Sequence, residues 1–96
     1  MARNVRFEWD SEKADANRQR HRVSFALAQE VFNDEYKAHI HRGDEHGEER
    51  WWTIGLVGSQ LLIVVHSWEE HEDEDIIRII SARKATPSER RRYEES

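Results

Sequence analysis

The stretch from Asp75 to Tyr93, DIIRIISARKATPSERRRY, constrains this chain more than any other. Ile76, Ile77, Ile79 and Ile80 are β-branched and interrupted only by Arg78, the composition of a strand. A helix start follows at once. Thr86 can cap, Pro87 fits the first helical position, where its missing N–H costs nothing, and Glu89 stands three residues after Thr86 to complete a capping box. Arg83 and Lys84 lie where strand gives way to helix. From Arg78 to Arg92 there are six basic residues and one acid, Glu89, in a chain whose formal charge is −5. Concentrated positive charge on an acidic chain points to a local site for an anion such as phosphate. A plainer reading, a solvated helix face, is open for Arg90, Arg91 and Arg92, but fits Arg83 and Lys84 less well.

Ninety-six residues make one domain, 1–96, with room for one modest core. Charged and hydrophobic residues are each 36% of the chain, yet four Trp and several aliphatic runs argue for a folded protein. There is no Cys, which excludes disulfides, thiol nucleophiles and Cys-ligated metals and fits a reducing compartment. No apolar run approaches the roughly 18 residues of a spanning helix, and no signal-peptide pattern is visible. The expectation is a cytoplasmic protein that does not enter a membrane. The acidic balance argues against a general nucleic-acid coat protein, though not against a small basic cleft.

Val5, Phe7 and Trp9 alternate with Arg6 and Glu8, as in a short strand. Asp10 caps a polar helix, Ser11 to about His21, whose buried stripe (Ala14, Asn17, His21) is thin and whose basic end suits the helix dipole. Ser24 caps a second helix, Phe25–Phe32, with Leu27, Ala28, Val31 and Phe32 as its docking stripe. Tyr36–His41 alternates as a half-buried strand. Arg42–Glu49, with two Gly and four acids, reads as a loop. Arg50–Val57 is a strand with Arg50, Trp52, Ile54 and Leu56 on one face and Trp51, Thr53 and Gly55 on the other. Gly58 and Ser59 make a tight turn. Leu61–Val65 is apolar throughout, hence central and covered on both faces, and ends in His66-Ser67-Trp68. Glu69–Asp75, six acids around His71, reads as a solvated loop. The predicted fold is α+β: an N-terminal strand and two helices packed on a four-stranded antiparallel sheet, followed by a C-terminal helix.

Six His raise the question of a metal. His39 and His41 share a strand face, but nothing in the sequence fixes a third ligand, so no metal is expected. No glycine loop for phosphates is present, and no Ser sits in a nucleophile elbow; Ser81, between Ile80 and Ala82, reads as structural. Metal-free RNA cleavage asks for less: a base for the 2′-OH, cations for the phosphorane and an acid for the leaving oxygen. Arg83 and Lys84, beside a helix bearing more Arg and Tyr93, supply cations and a candidate proton donor. His66 is a candidate base or acid because an unperturbed imidazole changes charge near neutrality, and His21 is another candidate; a strand-end structural histidine is the competing reading of His66. Trp51 or Trp52 can stack on a base or pack at a sheet edge.

These residues resemble the BrnT family, ribonuclease toxins of bacterial type II toxin–antitoxin pairs. The resemblance is carried by Phe7-Glu8-Trp9-Asp10, Lys13, Asn17 and His21, then Val23-Ser24-Phe25 and Val31-Phe32. It continues through Arg50-Trp51, Ile54-Gly55, Val64-Val65-His66, Ile79 to Ala85, Glu89-Arg90 and Tyr93. It implies a RelE-like fold, a metal-free endoribonuclease that arrests translation, and no cofactor. It also implies a BrnA-type antitoxin with a ribbon-helix-helix, forming a hetero-oligomer that reaches operator DNA only through the antitoxin. On this basis Arg83, Lys84, His66, Arg50 and Tyr93 are the candidate catalytic residues, with Arg78, His21, Arg90 and Trp51 as candidate RNA contacts. Two departures stand out. Arg22 replaces the usual Gly after His21, where a left-handed helix end would cost more. Ser67, Trp68, Glu69 and Glu70 replace a Thr and a nearby basic residue after His66. The second departure keeps a rival reading open: a catalytically weak module of the same fold, acting mainly as antitoxin partner and co-repressor.

Overall fold

A computed structural model of the protein describes residues 4–45 and 47–95. In chain order the elements are β1 (Asn4–Glu8), α1 (Ser11–His21), α2 (Phe25–Ala28), a 3-10 segment (Gln29–Asn33), β2 (Ala38–Glu45), β3 (Glu48–Val57), β4 (Gln60–Glu70), β5 (Glu74–Lys84) and α3 (Pro87–Glu95). The α+β class is as expected, and β2 to β5 form the expected antiparallel meander.

The four-stranded antiparallel sheet is corrected. The sheet has five strands in the order β1-β5-β4-β3-β2 and is mixed, because β1 pairs parallel with β5, Asn4 opposite Glu74 through Glu8 opposite Arg78. Without β1, the buried Ile77 of β5 would lie on an edge. The acidic loops are corrected too. Arg42–Glu49, of which His46 lies outside the described residues, is largely strand: the β2–β3 ladder runs out to Glu45 opposite Glu48. Gly43, at φ 84°, takes up the register break between His41 and Asp44. β4 and β5 likewise extend into the second acidic run and leave only residues 71–73 between them. Cross-strand pairing overrides the low strand propensity of these stretches.

Asp10 caps α1 by accepting from the amides of Glu12 and Lys13 at 2.8 and 3.2 Å. The left-handed end survives without glycine: Arg22 sits at φ 61°, its N–H donating to Arg18 O at 2.9 Å. That conformation costs a non-Gly residue about 1–2 kcal/mol. Burial of the next residue, Val23, whose carbonyl accepts from Asn17 Nδ2 at 2.9 Å, holds the chain there. The expected second helix is short. Ser24 caps it, accepting from Leu27 N at 3.0 Å, but it tightens into the 3-10 segment after Ala28. That segment presses on β3 so closely that a Cβ at Gly55 would stand 2.9 Å from Val31 Cγ1.

The sheet has two unequal faces. Leu62, Val64, Ile79 and Ala82 pack against Val23, Phe25, Ala28 and Val31 on the side covered by α1, α2 and the 3-10 segment. On the opposite side Ile54, Leu61 and Ile63 form a smaller cluster with Ala38, Trp52, Ala85 and Tyr93 of α3. β4 is central and buried on both faces, as expected. Where β1 has ended, the Asn17 side chain stands in for a strand edge. Its Nδ2 donates to Ala82 O at 2.8 Å, and its Oδ1 accepts from Ala82 N at 3.1 Å.

Candidate nucleic-acid cleft

On the side away from α1, Glu8 faces Arg78 across the β1–β5 pair, and Arg78 faces Ser67 across β5–β4. Arg50 follows on β3. Because β1 stops at Glu8 while β5 runs on, the sheet edge opens there into a cleft of about 690 Å³ that reaches round to the first turn of α1. Its lining includes Lys13, Arg50 and Arg78, the acids Glu8, Asp10 and Glu48, and Trp9 and Ile80. Arg50 Nη1 donates to Glu48 Oε1, while Arg78 and Lys13 are exposed. Three cations around one opening can hold a phosphodiester; a carboxylate among them can take a proton.

The same face continues into Trp52. The Arg42 guanidinium lies 4.4 Å from the Trp52 ring centre and the Arg83 guanidinium 5.5 Å from it. Arg83 is also held by α3 in a forked pair, Nη1 to Glu89 Oε1 and Nη2 to Glu89 Oε2, both 2.8 Å. The bonds from Arg83, outweighing burial and helped by the Thr86 amide, pull the Glu89 carboxyl down to about 2, and the same bonds raise Arg83 further. The capping box forms as expected: Thr86 N donates to Glu89 Oε1 at 2.8 Å, and Glu89 N to Thr86 Oγ1 at 3.2 Å.

The other candidate residues are placed elsewhere. Lys84 is next to Arg83 in a strand, so it points to the opposite face, beside Ala82 and across from Leu62. Trp51 also points away from the cleft, its ring 5.6 Å from Trp68 and 5.0 Å from His41. His21 lies at the end of α1 near Arg20 and Ser81, and Arg90 is exposed on α3, 3.9 Å from Glu94. Tyr93 Oη donates to Asp34 Oδ2 at 2.6 Å. Burial and then this bond to a carboxylate push the phenol up to about 12. Burial alone would raise Asp34, but the Leu56 amide, the Tyr93 hydroxyl, the Tyr36 amide and the Lys37 charge together hold it below its ordinary value.

His66 is fully buried within β4. Its Nδ1 is 3.0 Å from the Ser67 carbonyl, which can only accept, so Nδ1 carries the proton and Nε2 accepts from Thr53 Oγ1 at 2.7 Å. The Thr53 oxygen in turn accepts from His39 Nδ1 at 2.7 Å. Burial, opposed by the Ser67 carbonyl, brings His66 down to about 4. It is a neutral core group, out of reach of the cleft. With His39 committed to Thr53, the two strand-face histidines do not act as a ligand pair. Instead, His41, Asp44 and Glu49 bring ligand atoms within 4.8 Å of one another at the β2–β3 hairpin, an exposed trio able to take a metal ion on the face opposite the cleft.

Sequence reasoning missed Glu8, Lys13, Arg42 and Glu48 as site residues. For Arg42 a signal existed: the alternation Ala38, Ile40, Arg42 carries it onto the Trp52 side once the strand is allowed to run past His41.

Fold and cleft together define a small α+β protein whose sheet face, away from α2, carries the guanidinium groups of Arg42, Arg50, Arg78 and Arg83. The chain belongs to the BrnT family, ribonuclease toxins of type II toxin–antitoxin systems, whose family model matches residues 9–89. Membership makes RNA the natural anion and an antitoxin the natural partner. No curated protein matches the sequence. No helix among the described residues is long and apolar enough to cross a membrane.

Proposed function

We propose that the protein is a metal-independent endoribonuclease that cleaves RNA in the cleft between β1, β5 and β3. The observation that carries this reading is the placement of Arg78 and Arg50 on either side of β4, in one opening with Lys13 and Glu8. Glu8 takes the proton of a ribose 2′-OH, the 2′-oxygen bonds to the adjacent phosphorus, and the P–O5′ bond breaks as Lys13 protonates the leaving oxygen. A 2′,3′-cyclic phosphate and a 5′-hydroxyl result. Arg50 and Arg78 meet the charge that builds on the phosphorane, and such aimed donors usually supply the largest share of catalysis. Arg83, fastened to Glu89, extends the positive track along the bound strand. In the cell this activity arrests translation in the cytoplasm. A BrnA-type antitoxin with a ribbon-helix-helix restrains it and carries it to operator DNA.

The test is incubation of the purified chain with single-stranded RNA in EDTA, with product ends identified. Cleavage to cyclic-phosphate ends, lost in Arg78→Ala, is the expected result. Cleavage that needs added metal, or intact RNA, overturns the reading. One observation favours the rival, a catalytically weak partner module: Arg50 and Arg83 already hold carboxylates, Glu48 and Glu89. Expression of the chain alone separates the two, since only the nuclease arrests growth and degrades RNA.

A further inference from the structure

Trp52 is the large aromatic side chain on the cleft side of β3, and the approach to its ring is taken by Arg42 from β2 and by Arg83 from β5. The two cations are not equivalent. Arg83 is fixed by two bonds to Glu89. Arg42 is exposed and has no carboxylate partner among the described residues; the ring itself is its contact. It also sits beside Gly43, at the register break of β2, where the ladder is interrupted. Trp52 is half-buried against the Ile54 cluster, and a guanidinium over such a ring gains no more than a stacked nucleobase does. A base can therefore take the place of Arg42, and the released guanidinium then meets the flanking phosphate.

We propose that Arg42 and Trp52 form a nucleotide-recognition element beside the cleft, on the same sheet face, a base of single-stranded RNA stacking on Trp52 as Arg42 moves from the ring to the phosphate. This rests on the reading of the cleft as an RNA site and adds to it a stacking platform and a gate. It assigns base contact to Trp52 rather than to Trp51, which faces the other side of the sheet.

The test uses the full chain and a short fluorescein-labelled single-stranded RNA with 2′-O-methyl groups, which cannot be cleaved through its 2′-oxygen. Anisotropy reads binding at several salt concentrations, and tryptophan emission reads stacking. Wild type should bind with quenched emission. Trp52→Phe should lose most of the quench, and Trp52→Leu should bind roughly tenfold or more weakly. Arg42→Ala should keep the quench while its salt slope falls by about 0.7, the value for one phosphate contact on a single strand. Trp52 also packs against the Ile54 cluster, so thermal unfolding is checked for its variants. Arg42→Ala removes an exposed side chain and remains informative even if they fail to fold. If wild type binds and cleaves RNA but Trp52→Phe keeps the quench, or Arg42→Ala keeps the wild-type slope, the platform is wrong and the nuclease reading stands. If wild type neither binds nor cleaves RNA, both fall.

Discussion

Glu89 grips both terminal nitrogens of Arg83 at 2.8 Å, so the last helix of the fold is fastened to the strand that borders the cleft. The same carboxylate closes the capping box with Thr86. One side chain thus starts α3, positions it and fixes the direction of Arg83.

The Glu89 carboxyl lies at about 2 in the folded protein, against an ordinary 4.5. A lowered carboxylate gives stability that is complete above its unfolded value and lost as pH falls toward its folded value. Stability should therefore decline between about pH 5 and pH 2, and Glu89→Gln should flatten that decline. At neutral pH the substitution should cost about 1–2 kcal/mol, through the lost charge-assisted fork. Urea unfolding at pH 7 and pH 3 for both proteins measures this.

His66 gives a second, separate pH dependence. Its imidazole lies at about 4 because it is buried neutral, while the unfolded chain titrates at 6.5. The unfolded state binds the extra proton first, so stability is complete above about pH 6.5 and falls as pH drops toward 4, by roughly 3 kcal/mol. His66→Gln should remove this slope and leave RNA cleavage at neutral pH unchanged while the fold holds. Unfolding midpoints between pH 7 and pH 4, together with a cleavage assay, check both halves.

Asn17→Ala should destabilise by about 2–4 kcal/mol. It removes three hydrogen bonds and leaves Ala82 N and O buried without partners. Chemical denaturation measures the loss, and hydrogen exchange should show it concentrated at Ala82 and at the end of α1.

Two basic residues should behave oppositely. Arg78→Ala should lower the cleavage rate by about 10²–10³, the usual cost of removing one aimed donor from a developing oxyanion, with little change in stability because Arg78 is exposed. Lys84→Ala, on the other face of the same strand, should cleave as wild type does. Single-turnover rates on one RNA substrate decide it.

Tyr93 should ionise only near pH 12, and absorbance titration of wild type against Tyr93→Phe isolates its phenol. A raised phenol stabilises the fold below its unfolded value of 10 and loses that contribution as pH climbs toward 12. The variant should therefore lose less stability than wild type above pH 10.

Local signals read well from the sequence. The caps at Asp10, Ser24 and Thr86 form where the residue types placed them. So does the division of β3 into a Trp52 face and a Trp51 face, because alternation is a local property. What is set at long range was not legible. Nothing near Asn4–Glu8 says that its partner is Glu74–Arg78, and the acidic runs become strand only because neighbouring strands carry the ladder into them. The site suffered most from this. Arg83 and Lys84 read as one basic pair, yet the pleat sends them to opposite sides. Arg78 and Arg50, well apart in sequence, meet through the sheet order. His66 kept two readings open because only tertiary packing decides whether a strand-end imidazole stays in water.

The parallel pairing of β1 with β5 has a consequence for synthesis. The strand Asn4–Glu8 has no partner until Glu74–Arg78 has been translated. Chains usually begin to fold from the N-terminus as they emerge, but this one cannot finish its sheet that way. Glu8 and Arg78 come together only once Arg78, 70 residues further along the chain, has been made. On this reading a truncated product would carry an unpaired strand and no assembled cleft, so an aborted round of translation would release a harmless fragment rather than an active toxin.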